Sequence, residues 1–177
     1  MGSFRAAPSL RPYLPADAPA LAALFRESVE TLTENFYDED QRAAWAASAD
    51  DEAAFAARLT QALAIVALVE KEIAGFATLE KNETIEMLYV QPDFARQGVG
   101  SALLDAMEKL AAARGTSTLQ VEASDAARDF FAKRGFQPQS RNTIELDGEW
   151  LGRTRMTKAL DKGGLDARLT AAAGRPQ

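Results

Sequence analysis

The chain has 177 residues, a formal net charge of −6, no cysteine and no histidine. That length builds one domain with a sizeable core, and 47% hydrophobic against 26% charged residues is the balance of a soluble globular protein. Disulfides, thiolate nucleophiles, cysteine-bound metals and imidazole bases are excluded, and a nucleic-acid partner is disfavoured because binding phosphates needs a basic footprint.

The opening MGSFRAAPSLRP lacks the apolar core of a signal peptide, and Ala6 breaks the myristoylation pattern that Met1-Gly2 begins. Residues 9–14 (SLRPYL) predict a short edge strand, because Pro12 has no N–H for a central ladder. Asp17 is placed to cap a helix whose Leu21, Leu24, Phe25, Val29 and Leu32 recur near 3.6 spacing. Asn35-Phe36-Tyr37-Asp38 breaks it, and two further helices are expected over 38–47 and 50–63. The longest apolar run, 62–69, is far too short to span a membrane, and the sequence reads as a cytoplasmic protein. Strands are expected over 64–70 and 73–80, a hairpin closed through Lys71-Glu72, with Gly75 marking a bulge or a close approach. Asn82-Glu83 turns the chain into a third strand, 84–90.

Pro92 ends that strand. A glycine loop then opens a helix with the apolar stripe Val99, Leu103, Met107 and Leu110, closed by Arg114-Gly115. A strand over 118–122 follows, then a short helix from Ser124 or Asp125 to Arg134-Gly135. Two last strands, near 139–146 and 150–158, join through Asp147-Gly148. After Leu160 the composition shifts to Gly, Ala and charge without a core-forming stripe. Residues 1–160 therefore read as a single domain and 161–177 as a flexible tail. The order of elements is that of an α/β fold with a mixed sheet.

The chemistry concentrates in Arg96-Gln97-Gly98-Val99-Gly100-Ser101. Glycine lets backbone amides approach a ligand without an intervening Cβ. The first helical turn adds unpaired N–H groups and the positive end of the dipole, a combination suited to a pyrophosphate. A glycine-rich helix start without a ligand is the competing reading. The segment is neither G-x-x-x-x-G-K-[ST] nor, with Leu103 in the last position, G-x-G-x-x-G, so a nucleoside triphosphate or dinucleotide is not indicated.

Leu88-Tyr89-Val90-x-Pro92 followed by Arg96-Gln97-Gly98-Val99-Gly100-Ser101-Ala102-Leu103-Leu104 resembles motif A of the GNAT N-acetyltransferase superfamily. Val121-Glu122-Ala123-Ser124, Phe130-Phe131 and Arg134-Gly135-Phe136 resemble its motif B, and the likeness extends over 9–160. It implies a GNAT fold: a mixed central sheet of about seven strands with a V-shaped splay and flanking helices. It also implies acetyl-CoA as cofactor and N-acetyl transfer as activity. The pantetheine arm would lie between the 84–90 and 118–122 strands on backbone groups of Leu88, Tyr89 and Val90, with Leu88 N–H polarising the thioester carbonyl. Arg96, Gln97, Gly98, Val99, Gly100 and Ser101 would hold the pyrophosphate, and Ser124, Phe130, Phe131 and Arg134 would complete the cofactor site.

Two departures stand out. Ala95 occupies the place where the superfamily usually has Arg or Gln, and Arg96 is adjacent to supply the charge. Phe131 stands where a Tyr often protonates the departing thiolate, which resembles the branch carrying Phe-Phe. Water, Ser124 or another hydroxyl would then protonate CoA. The candidate base is Glu86, read on the same strand face as Leu88 and Val90 and expected to be raised in pKa by the cleft; Glu122 is the second candidate. Phe36, Tyr37 and Trp45, with acidic Asp38, Glu39 and Asp40, are candidates for an acceptor site, against ordinary helix packing as the alternative.

The sequence therefore points to an acetyl-CoA-dependent N-acetyltransferase acting on a primary amine of a small molecule, with no metal, nucleic-acid or membrane partner. The alternatives are a non-catalytic acyl-CoA sensor and an acetyltransferase of a protein or peptide amine. A homodimer is compatible with the sequence.

Overall fold

The computed structural model describes residues 6–161. The N-terminal motif at Met1-Gly2 and the expected tail beyond Asp161 lie outside the described residues. Seven strands, β1 (Ser9–Pro12), β2 (Leu63–Val69), β3 (Glu72–Glu80), β4 (Thr84–Val90), β5 (Thr118–Ser124), β6 (Gln137–Leu146) and β7 (Glu149–Ala159), form one sheet in the order β1-β2-β3-β4-β5-β7-β6. β4 and β5 run parallel; every other neighbouring pair is antiparallel. Five α-helices accompany it: α1 (Ala18–Leu32), α2 (Glu39–Ala46), α3 (Glu52–Gln61), α4 (Val99–Ala113) and α5 (Arg128–Lys133). Among the described residues no helix is long and apolar enough to cross a membrane.

Helix starts fall one or two residues later than expected because the acidic residues sit outside as caps. Asp38 Oδ1 accepts from Gln41 N–H (2.8 Å) while Gln41 Oε1 accepts from Asp38 N–H (3.0 Å), a capping box for α2. Asp51 Oδ1 does the same for Ala54 N–H in α3 (3.0 Å). The hairpins close through left-handed pairs, Glu70-Lys71 (φ 50° and 71°) and Asp147-Gly148 (φ 48° and 83°), which match strand twist.

The central strands are buried on both faces. Ile65, Leu79, Ile85, Leu119 and Met156 pack under Leu103, Leu104 and Met107 of α4. Val66, Phe76 and Met87 pack under Phe25 of α1 and Phe55 and Leu59 of α3. The opposite fates of Ile65 and Val66 are the period-two alternation of a strand buried on both sides.

Two bulges break that alternation. In β3, Ala67 pairs with Gly75 and Leu68 with Ile73, leaving Ala74 as the extra residue. A Cβ on Gly75 would lie 2.9 Å from both Tyr89 O and Val99 Cγ1, so α4 seats on the sheet only because that position is bare; bulge and close approach coincide. In β4, Thr78 pairs with Met87 and Leu79 with Ile85, so Glu86 is the extra residue. The buried Thr78 hydroxyl accepts the Met87 N–H at 3.1 Å. Past the bulge, Leu88 and Val90 pack on the α4 side while Met87 and Tyr89 pack on the α1 side.

β4 and β5 pair only at Thr84↔Gln120 and Ile85↔Val121. Beyond these, β4 continues along β3 to Val90, and β5 continues along β7 to Ser124. The sheet opens into a V toward the α4 N-terminus.

Asp17 does not cap α1 with its side chain. Its own backbone is already helical (φ −76°, ψ −20°). The carboxylate turns back to accept from Arg11 Nη1 and Nη2 (2.7 and 2.9 Å) and from Leu14 N–H (2.8 Å). The Arg11 hydrogen bonds hold its pKa below the ordinary 3.8 even though burial pulls it up. Such a carboxylate stabilises the fold fully above its unfolded pKa, and that stability is lost as pH falls through the lowered folded value. Asp17→Asn is therefore expected to cost about 1–3 kcal/mol at neutral pH. In urea titrations repeated down the pH scale, the gap to the parent protein should close below about pH 4. A gap that stays constant with pH would show that the ion pair is not its source.

Candidate active site

Arg96 (φ 60°) and Gly98 (φ 86°) swing the chain in left-handed turns so that Val99 begins α4. The first intrahelical bond is Ala102 N–H to Gly98 O at 3.0 Å. The amides of Val99, Gly100 and Ser101 precede it and carry the positive end of a 15-residue helix. Gly100 is bare, with the Phe130 ring 3.3 Å from where its Cβ would be. Arg134 lies over Phe130, its guanidinium carbon 4.0 Å from the ring centroid, and donates to Ser101 Oγ and to Phe130 O (3.3 Å).

Residues 33 positions apart in the chain thus meet around one helix start: three open amides, a fixed cation and no intervening side chain. This fits a pyrophosphate. The unladdered edge of β4 beyond Ile85 offers backbone groups to an extended amide-bearing arm. Gln97 turns back on its own loop, donating to Asp93 O at 3.0 Å. Phe131 is buried between Phe130 and Phe136, ring centroids 5.2 Å from each, and forms a wall of the V.

A cavity of about 440 Å³ opens where β4 and β5 part. Leu88 and Val121 line it from the two strands, Ser124 from the end of β5, and Tyr37, Trp45 and Tyr89 from the α1–α2 side. The Tyr37 hydroxyl accepts from Asp125 N–H (2.8 Å) and donates to Gly152 O (2.6 Å), and burial pushes its pKa up. Trp45 stands edge-on to Tyr37 (5.7 Å) and to Tyr89 (6.3 Å). Burial raises the Tyr89 phenol strongly, although the Trp45 indole hydrogen-bonds it. The Tyr89 side chain takes no part on the cofactor side: its ring packs on Phe25 at 4.6 Å, away from α4.

Three expectations need correction. Glu86 does not share a face with Leu88 and Val90, because it is itself the extra residue of the bulge and falls outside the strand's alternation. It points instead to α3, where its Oε1 accepts from Arg58 Nε (3.0 Å) and lies 2.9 Å from Arg58 Nη2; it still lines the cavity. Phe36 is 53% exposed and lies outside the cavity, one residue from the break that buries Tyr37. Asp38, Glu39 and Asp40 are not in the cavity wall either, since they form the cap and first turn of α2.

Glu122 lines the cavity but is heavily engaged. It accepts from Asn142 Nδ2 (3.0 Å) and Arg155 Nε (2.8 Å), with Arg153 Nε 3.7 Å away. Burial alone would raise its pKa; these partners together hold it below the ordinary value. That makes Glu122 a weak base. Other groups at the site had no local sequence signal: Arg58, Gly152, Arg153 and the Asp125–Arg141 pair (2.7 and 3.0 Å) meet only through the sheet.

Residues 31–160 match the family described as acetyltransferase (GNAT) domain. The chain is 33% identical over 141 residues to YafP of Escherichia coli (strain K12), an uncharacterized N-acetyltransferase, covering 80% of this chain and 89% of that one. It is 51% identical to a GCN5-related N-acetyltransferase of known structure from Rhodopseudomonas palustris, with a TM-score of 0.87 over 90% of this chain and 100% of that one. The PaiA N-acetyltransferase of Thermoplasma acidophilum, solved with coenzyme A, shares the fold at 19% identity, with a TM-score of 0.72 over 87% of this chain and 99% of that one. With its parted sheet and its open helix start, the chain belongs to the GNAT acetyltransferases and is an acyltransferase that uses acetyl-CoA.

Proposed function

We propose that the protein acetylates a primary amine of a small molecule, and that residues 1–160 are the catalytic unit. The observation that carries this reading is the cavity of about 440 Å³ at the mouth of the V. Its size is that of a small-ligand site, and it sets aromatic rings against the strand edge that ends in Leu88 and Val90. A cytoplasmic setting, where acetyl-CoA meets free amines, fits this reading.

Acetyl-CoA supplies an acyl thioester. The amides of Val99, Gly100 and Ser101, with Arg134, hold its pyrophosphate, and the backbone of Leu88 and Val90 orients its arm. Glu86, fixed at Oε1 by Arg58, takes one proton from the acceptor ammonium, directly or through a water. The amine nitrogen then bonds to the carbonyl carbon while Leu88 N–H donates to the carbonyl oxygen. The C–S bond breaks and the second amine proton passes to solvent. The thiolate takes a proton from water or from Ser124, whose Oγ accepts from Ala127 N–H (3.2 Å) and keeps its own proton to give. The products are an N-acetyl amine and CoA, with one proton released overall. Holding amine and carbonyl together supplies much of the acceleration.

Two glycines allow a controlled test of the anion site. Gly98 and Gly115 flank the two ends of α4 with nearly the same φ (86° and 88°), and a Cβ on either would enter open space. Alanine at each should cost a similar 1–2 kcal/mol, roughly the left-handed penalty. Gly98→Ala alone should weaken CoA binding in calorimetry, by about tenfold or more, because its methyl enters the approach to the amides. Equal CoA affinities in the two variants would place the pyrophosphate elsewhere.

Glu86→Gln keeps an oxygen for Arg58 but cannot accept a proton. At neutral pH its kcat should fall by about 10²–10⁴, with acetyl-CoA affinity unchanged and the acidic limb of the rate–pH profile lost. If Glu122→Gln loses the rate and Glu86→Gln keeps it, the base is Glu122. If neither changes it, the amine arrives deprotonated and positioning does the work.

A further inference from the structure

Four arginines line or border the acceptor cavity, and three of them are matched to carboxylates, Arg141 to Asp125 at 2.7 Å. Arg58 gives Nε to Glu86 (3.0 Å). Arg155 gives Nε to Glu122 (2.8 Å), which also holds Asn142 Nδ2 (3.0 Å). Arg153 is the exception. Its Nε goes to the neutral Oδ1 of Asn142 (2.7 Å), and its nearest carboxylate, Glu122, is 3.7 Å away and already carries two shorter bonds. Among the described residues neither Nη group of Arg153 has a hydrogen-bond partner. Yet the side chain is only 32% exposed and lines the cavity. Glu80, the remaining carboxylate of the lining, is exposed at the end of β3.

We infer that the acceptor amine also carries a carboxylate, and that Arg153 receives it. A guanidinium with both Nη groups free matches a planar, two-oxygen anion better than any other small group. Glu86 on β4 and Arg153 on β7 line the cavity from opposite sides of β5. A molecule lying across the end of β5 thus meets a carboxylate at one end and a guanidinium at the other. Much of the remaining lining is apolar or aromatic: Trp45, Tyr89, Ile144, Leu146 and Leu151. The ligand these surfaces describe is an amino acid with an apolar or aromatic side chain, acetylated on its amine. The transfer is the one given above, with the carboxylate unchanged throughout. This inference rests on the small-amine reading of the cavity and narrows it to one class.

Matched pairs that differ by the carboxylate alone test it: phenylalanine against phenethylamine, and leucine against isoamylamine, each scored by CoA release. The parent protein should favour the amino acid in kcat/KM by about tenfold or more, the weight of one charge-assisted bidentate contact. Arg153→Gln should bring that ratio close to one, and Arg153→Lys, a point charge without the fork, should fall between. Thermal melts check that both variants fold. A parent protein that treats the pairs alike or prefers the bare amines overturns the inference, and so does a ratio that survives Arg153→Gln.

If no member of any pair is acetylated, the small-amine reading fails on its own account. The carboxylate inference is then decided by calorimetry with hydrocinnamate, which has the acid but no amine. Arg153-dependent binding to the CoA-loaded protein supports it, and absence of binding overturns it.

Discussion

Backbone N–H and C=O groups that lose their ladder partners must find others, and this sheet parts in its middle. β4 and β5 share two residue pairs and then diverge, leaving the far half of β4 without a neighbour on one edge. A sheet tolerates such an edge where a ligand or water takes the vacated bonds. Much of the remaining structure keeps the two arms apart and aligned. β4 is tied to β3 up to Val90, with α4 laid over the bare Gly75. β5 is tied along its full length to β7. The Tyr37 hydroxyl joins the α1–α2 connection to Asp125 and to Gly152, and Arg141 closes the same corner on Asp125. The opening is thus bounded by hydrogen bonds of 2.6–3.0 Å rather than by loops alone.

The same geometry sorts the cleft into two halves. On the α4 side the groups are amides, a bare glycine and an arginine, which suit a phosphorylated ligand that varies little. On the α1–α3 side they are rings, carboxylates and guanidinium groups, which suit a ligand that must be chosen. The bulge in β4 assigns Glu86 to the second half. In a regular strand adjacent residues face opposite sides, so Glu86 and Met87 could not both lie on the α1–α3 side.

The parts legible in the sequence were those encoded locally. The stripe Val99, Leu103, Met107 needs only helical period, Gly98 before it needs only its φ, and Pro12 needs only its missing N–H. Strand bounds followed, because both bulges lie inside strands whose ends are set by turn residues. The face of Glu86 was not legible, since a bulge is a compromise between two strands and leaves no mark in one of them. Asp17 misled because an acidic residue before an apolar stripe has the pattern of a cap, while Arg11, only six positions back, offered a stronger partner. Phe36 and Tyr37 are neighbours of similar composition. Only the hydroxyl's two partners, 88 and 115 positions away, distinguish the buried ring from the exposed one. Arg153 is one of two arginines on β7 until register sets it opposite Asn142.

The missing acid at Phe131 has a packing explanation. The ring is 3% exposed and stacks edge-on with both Phe130 and Phe136. Phe130 in turn supports Arg134 and approaches Gly100. A phenol at 131 would have to bring its polar tip to the cavity or leave it unsatisfied in the core. The other two phenols of the cavity, Tyr37 and Tyr89, are pushed up in pKa by burial, which makes them poorer acids, and the Tyr37 proton is already given to Gly152 O. The cleft therefore uses its tyrosines as walls and ties. Under the proposed mechanism, proton delivery to the thiolate would fall to water and Ser124, while Phe130 supports Arg134 beside the start of α4.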